Sequence, residues 1–184
     1  MQLKLTCVNG SQRLWSLSDI WPQELVDQVL AIDWPSEPVT MSPSDMMYRD
    51  VVRPQHQCIK SVDEYMRGHI PKINQITNSN FTGCSPGRWN MCRPGYVSYI
   101  HHDGELLNTM LIYWHAPDTS YGTTFYNSNS KSDIFHQFES VAGTGYFMLN
   151  HVDSTGHRPL QYHGMLNRVP ANCWRLITLW DFYP

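Results

Sequence analysis

Long apolar runs are what this chain most plainly lacks. No stretch approaches the roughly twenty residues that a membrane-spanning helix requires. The opening residues, Met1-Gln2-Leu3-Lys4-Leu5-Thr6, do not supply the apolar run of a secretory leader. No Cys-x-x-Cys pair occurs, and the five cysteines, Cys7, Cys58, Cys84, Cys92 and Cys173, are odd in number. Thiols in a reducing, cytoplasmic setting are therefore expected in place of a disulfide framework. A basic excess is missing too. Lys and Arg number 13 against 16 Asp and Glu, for a net charge of −3 and a pI near 6.3, which argues against a dedicated nucleic-acid binder. The chain has neither an internal repeat nor a low-complexity tract, so a repeat array is excluded. Two glycosylation sequons, at Asn9 and Asn80, carry no weight without secretion.

What is present is a globular composition. The 184 residues are 41% hydrophobic and 12% aromatic, enough for one domain, 1–184, with a real core. Residues 3–8 alternate apolar and polar side chains and read as an opening strand, closed by the turn signal Asn9-Gly10-Ser11. Ser18-Asp19 offers an N-cap for a helix over 22–32, whose Leu25, Val26, Val29 and Leu30 form an apolar stripe. Residues 34–60 carry four prolines, at positions 35, 38, 43 and 54. They read as a long connection with one short strand near 48–52, and 36–58 is a candidate lid. Ser61-Val62-Asp63-Glu64 resembles a capping box opening a second helix over 62–74.

From Phe81 onward the texture changes to short β-prone runs between Gly, Asn, Pro and Ser. Strands are expected near 88–92, 96–100, 109–115, 123–127, 145–149, 161–166 and 174–181. The fold class expected is mainly β: a jelly roll over 81–184, buttressed by two helices in a supporting segment over 1–80.

The chemistry centres on Arg93-Pro94-Gly95-Tyr96-Val97-Ser98-Tyr99-Ile100-His101-His102-Asp103. On a strand, residues two apart share a side, so His101 and Asp103 project together and His102 points away. One imidazole and one carboxylate are two-thirds of the 2-His-1-carboxylate triad that holds non-heme Fe(II) with positions left open. The third ligand has five candidates after Asp103: His115, His136, His151, His157 and His163. If His163 faces the metal, the β-run after Pro170-Ala171-Asn172 brings Arg175 into the same cavity. A guanidinium buried there needs an anion, and its planar fork suits a carboxylate. A second His-x-Asp, His151-Val152-Asp153, leaves only His157 and His163 after it, 4 and 10 residues on; a surface loop is the better reading.

The ordered set resembles the Fe(II)/2-oxoglutarate-dependent dioxygenases, and most of all the prolyl 4-hydroxylase-like branch. His101 and Asp103 match that family's early pair, His163 follows Asp103 by 60 residues, and Arg175 follows by 12 more. Arg93-Pro94-Gly95, Ile112-Tyr113, Gly145-Tyr146-Phe147-Met148 and His163-Gly164 also match, over roughly residues 81–181. Two features depart. Only Tyr121-Gly122-Thr123-Thr124-Phe125 stands where a Gly-Gly pair is common, and the stretch between Leu149 and His163 is long. The resemblance implies a double-stranded β-helix with Fe(II) held by His101, Asp103 and His163. It implies 2-oxoglutarate as cosubstrate, with Arg175 on the far carboxylate and Tyr113 assisting, and Arg168 as the alternative clamp. It further implies O2 and ascorbate as co-reactants, succinate and CO2 as co-products, and hydroxylation of an unactivated C–H bond. Asp103 speaks against the halogenase branch, which needs that position vacant.

The substrate expected first is a prolyl or other protein side chain, then a small molecule, then a nucleobase. Two other classes compete: a non-catalytic metal-binding jelly roll, and a cupin-type hydrolase or isomerase in which Arg175 has no anionic partner. Tyr113 reads equally as cosubstrate donor and as core aromatic. Tyr96, Tyr99, Trp174, Trp180 and Phe182 read as packing residues, and Met46-Met47-Tyr48 as core or lid packing.

Overall fold

The computed structural model of the chain describes residues 3–11, 13–41, 49–101, 108–149 and 162–184. The expected opening strand is β1 (Lys4–Cys7). It turns back through Asn9 (φ 48°) and Gly10 (φ 69°) into β2 (Leu14–Ser18), a strand the sequence reading missed. Two consecutive positive φ values are what a type I′ hairpin turn demands, and Asn-Gly supplies them with little strain.

Helix α1 (Gln23–Leu30) buries Leu25, Val26 and Val29, as the stripe predicts, but Leu30 is 41% exposed. The expected Ser18-Asp19 cap does not form. Asp19 sits at φ 54°, where it turns the chain from β2 toward the helix, and Pro22 is the cap residue. The expected helix over 62–74 is two helices, α2 (Gln57–Gly68) and α3 (Ile70–Thr77), broken at His69. Pro71 explains the break: it has no N–H to give, and its ring would clash with the carbonyl four residues earlier. The supposed capping box lies inside α2, where the Ser61 hydroxyl donates to the Gln57 carbonyl at 3.3 Å.

The remaining strands are β3 (Val39–Met41), β4 (Arg49–Val52), β5 (Gly83–Cys84), β6 (Arg88–Cys92), β7 (Asn108–His115), β8 (Thr124–Tyr126), β9 (Ile134–Gln137), β10 (Gly145–Met148), β11 (Tyr162–Gly164) and β12 (Arg175–Tyr183). A nine-stranded sheet runs β1-β2-β10-β7-β12-β6-β4-β3, with β5 added to β12. A three-stranded sheet runs β11-β8-β9. The connection over 34–60 thus holds two strands, β3 and β4, paired as an edge hairpin; the candidate lid's centre, 42–48, lies outside the described residues, as do Met46, Met47 and Tyr48.

The large sheet is covered on both faces, which is why β7 reads Met-Leu-Ile-Tyr-Trp rather than as an alternation. Met110, Ile112 and Trp114 pack with Phe147, Leu176 and Trp180 against the three helices. Leu111 and Tyr113 point the other way, into a second core with Phe125, Phe138, Tyr146 and Ile177 between the two sheets. Indoles dominate the helix side: the Trp34–Trp89, Trp89–Trp114 and Trp21–Trp114 ring centroids lie 4.9, 5.3 and 5.6 Å apart. Trp180 and Phe182 are core residues as expected. Trp180 also donates its indole N–H to Asp63 at 2.9 Å, and the same carboxylate oxygen accepts the Gly87 N–H at 2.8 Å, tying α2 to the sheet. Cys58, Cys84 and Cys173 carry free thiols. Among the described residues no helix is long and apolar enough to cross a membrane.

Candidate active site

The segment 96–101 is extended as expected, but it is not a regular strand. It runs beside 163–169 with irregular pairing: the Val169 N–H donates to the Tyr96 carbonyl, and the Met165 N–H to that of Ser98, both at 2.8 Å. The last pair is the informative one. His101 and His163 exchange both backbone hydrogen bonds, at 3.0 and 2.9 Å, so the two residues stand directly opposite each other. Their imidazole centroids are 4.4 Å apart. Gly164 permits this approach, because a Cβ there would lie 2.9 Å from the carbonyl oxygens of Ser98 and Tyr99.

His163 is 6% exposed and stacks on Phe125 at 5.4 Å. The His101 Nδ1 lies 2.7 Å from the Tyr99 carbonyl oxygen. That contact assigns the proton to Nδ1 and the lone pair to Nε2, the arrangement of a histidine oriented for a metal. Tyr99 itself corrects an expectation. It is 70% exposed, so its side chain is not a packing residue; Tyr96 is buried as expected.

Arg175 begins β12 and is 2% exposed. A register shift between Leu176 and Ile177, against β7, sits directly beside it; such bulges re-aim side chains. Among the described residues its Nε and Nη2 have no hydrogen-bond partner. The guanidinium carbon lies 5.4 Å over the Tyr113 ring. Burial pushes the Tyr113 phenol above its ordinary value, against the opposing pull of the Arg175 charge and of hydrogen bonding with Thr123 and with Arg175 itself. The Tyr113 oxygen accepts the Thr123 N–H at 2.9 Å.

His101, His163 and Arg175 line one cavity of about 220 Å³, together with Tyr146, Thr123 and Ile177. Tyr113 is not among its lining residues; it stands behind Arg175. Asp103 and its neighbour His102 lie outside the described residues, and so do His151 and His157. Accordingly no group of three potential metal ligands forms among the described residues.

Among the described residues the other candidates do not line the cavity. His115 stacks on Trp174 at 4.0 Å, and His136 packs edge-on to Phe138 at 4.6 Å. Arg168 donates to the Gly95 carbonyl at 2.7 Å and helps hold the segment that leads to His101. Sequence reasoning missed Arg88, Thr109 and Asp181, which line the same cavity. For Thr109 and Asp181 the signal was available in outline: each lies an even number of residues from a cavity-facing position on its strand. A larger cavity of about 740 Å³ lies where β1, β2, the end of α3 and Pro184 meet. Among the described residues it is lined by no histidine and by one charged side chain, Arg13, so the smaller cavity is the candidate site.

No family model matches the chain, and no curated protein sequence matches it. Solved structures do. A prolyl-4-hydroxylase from Pseudomonas putida is 16% identical, with 94% of this chain and 93% of that one aligned at a TM-score of 0.67. A viral collagen prolyl hydroxylase from Paramecium bursaria Chlorella virus-1, in complex with 2-oxoglutarate, is also 16% identical, covering 96% and 98% at 0.61. HygX from Streptomyces hygroscopicus, with nickel and 2-oxoglutarate bound, is 9% identical, covering 93% and 82% at 0.62. At these identities the likeness is one of architecture: the chain has the fold of the 2-oxoglutarate- and Fe(II)-dependent oxygenases, prolyl hydroxylases among them, a jelly roll buttressed by helices.

Proposed function

We propose that this protein is an Fe(II)- and 2-oxoglutarate-dependent oxygenase that hydroxylates an unactivated C–H bond. One observation carries the reading. A guanidinium almost wholly removed from water, two of whose nitrogens find no hydrogen-bond partner among the described residues, lines the same cavity as two histidines that stand directly opposite each other. Burying such a charge without a counter-charge is costly, and among the described residues none pairs with it, so the site suits an anion.

The residues fit the implied groups. His101 and His163 supply the two imidazoles, and Asp103, two residues from His101, supplies the carboxylate. Arg175 takes the far carboxylate of 2-oxoglutarate through its planar fork. When bound, the iron and the cosubstrate supply oxidative decarboxylation and the transfer of one oxygen atom from O2 to the substrate. The chain's own part is positional. The Tyr99 carbonyl fixes the His101 ring, and Phe125 fixes the plane of His163. Tyr113, kept neutral by burial, supports Arg175 from below rather than reaching the cosubstrate directly. Leu111, Ile177 and Leu179 give the cavity an apolar wall.

The test is an anaerobic titration of Fe(II) plus 2-oxoglutarate into the metal-free protein, followed by its visible charge-transfer band. The band is expected with the native chain and lost in Arg175→Ala. Iron binding without the band would instead support the cupin-type or non-catalytic readings.

A further inference from the structure

β12 presents two charged side chains to the cavity from one face, Arg175 and Asp181, with Ile177 and Leu179 between them. Six residues of strand separate the two backbone positions by about 20 Å, at roughly 3.3 Å per residue. A five-carbon diacid anchored at Arg175 cannot span that distance. Asp181 therefore faces the share of the cavity open to a different molecule.

Its surroundings are specific. One Asp181 oxygen accepts from the Thr109 hydroxyl at 3.2 Å, and Thr109 is its register partner on β7. Its backbone N–H is taken by the Ser85 hydroxyl at 3.0 Å. The carboxylate is thus held, yet it forms no ion pair among the described residues. Arg88 lies on the neighbouring strand β6, opposite Leu179, and lines the same cavity. It too forms no ion pair among the described residues. A cation and an anion that share a wall without neutralising each other are the complement of a zwitterion.

We propose that Arg88, Thr109 and Asp181 form the primary-substrate subsite, and that the substrate is a small zwitterion of the α-amino-acid type. Its ammonium group meets Asp181 and its carboxylate meets Arg88. The assignment rests on the oxygenase reading above. The reaction balances as a hydroxylation: one oxygen atom of O2 enters the substrate C–H bond as hydroxyl, and the other enters succinate. Oxidation of 2-oxoglutarate with loss of CO2 supplies two electrons, and the C–H bond supplies the other two.

The experiment titrates the twenty common amino acids, one at a time, into two samples. One is the anaerobic complex with Fe(II) and 2-oxoglutarate, followed by its charge-transfer band; the other is the metal-free protein, followed by calorimetry. Saturable binding of at least one amino acid is expected, weakened about tenfold or more in Arg88→Gln and in Asp181→Asn. Arg13→Gln, in the other cavity, is expected to leave that binding unchanged. The N-acetylated ligand should bind the native chain and Asp181→Asn equally, and the amide should do the same with Arg88→Gln; a merely structural role would not produce this pairing. Absence of amino-acid binding by both readouts overturns the subsite, as does binding indifferent to both substitutions. A missing band with calorimetric binding intact overturns the oxygenase reading alone.

Discussion

At the scale of single residues, Arg175 invites the sharpest expectation. A charge-assisted bidentate bond away from bulk water contributes about 1.5–3 kcal/mol, so Arg175→Ala should weaken 2-oxoglutarate binding roughly 10- to 150-fold. Arg175→Lys should recover only part of this, because an ammonium group cannot present the planar fork. Calorimetry on the Fe(II)-loaded anaerobic protein reads both. A second expectation falls on Asp103. Asp103→Ala should abolish hydroxylation, and retained turnover with tight iron binding would refute the ligand assignment. Residue identity and spacing made His101, His163 and Arg175 legible as candidates, and the fold brings the three to one cavity. Exposure was not legible: nothing local distinguishes Tyr96, buried, from Tyr99, which projects into solvent beside the site. Nor did a sequence of isolated charges reveal that Arg88 and Asp181 share a wall, since they sit 93 positions apart and meet only through β6 and β12.

At the scale of elements, the sheet is held by close approaches that leave little slack. A Cβ on Gly145 would stand 1.9 Å from the Leu111 carbonyl oxygen, so Gly145→Ala should push β10 off β7. The expected cost is about 1–3 kcal/mol or more, visible as a lowered denaturant midpoint. The α2–sheet tie is a second test. Asp63→Ala would leave both the Trp180 indole N–H and the Gly87 N–H without their acceptor. A destabilisation of about 1–3 kcal/mol is expected, and Asp63→Asn should retain part of it. Strand positions with strong β-formers were readable, β7 among them. The helix break was misread because apolar periodicity continues through Gly68 and Pro71, where backbone sterics overrule it. β2 was missed because its Leu-Trp-Ser-Leu-Ser run follows a tight turn directly, and only pairing with β10 and β1 makes it a strand.

At the scale of the whole molecule, the acid limb of stability follows from half-buried histidines. Burial holds His69, His115 and His136 below the ordinary imidazole value of 6.5. The folded chain therefore binds protons less readily than the unfolded one. Above 6.5 both states are neutral and nothing is lost; as pH falls through that value the unfolded chain protonates first, and stability declines. The melting temperature should drop between about pH 7 and pH 5, with a shallower slope in His115→Gln. A flat or rising profile would exclude the effect. Asp118 and Asp133 act in a lower window. Hydrogen bonds from Ser120, and from Asn127 and Ser128, hold their carboxyls below 3.8, so their contribution is lost only as pH falls further.

The linear chain by itself determined the β-rich class, the helices that buttress it, and the spacing of His101, Asp103, His163 and Arg175. Each of these rests on local composition or on order along the chain, which survive without a fold. Tertiary structure alone decided that His101 and His163 stand directly opposite each other, that Arg175 is buried with two nitrogens unpaired among the described residues, and that Tyr113 lies under its guanidinium instead of lining the cavity. It also decided which charges gather at Asp181. Contacts across strands distant in sequence depend on register and on which face a residue presents, and a single-residue shift of pairing reverses that face.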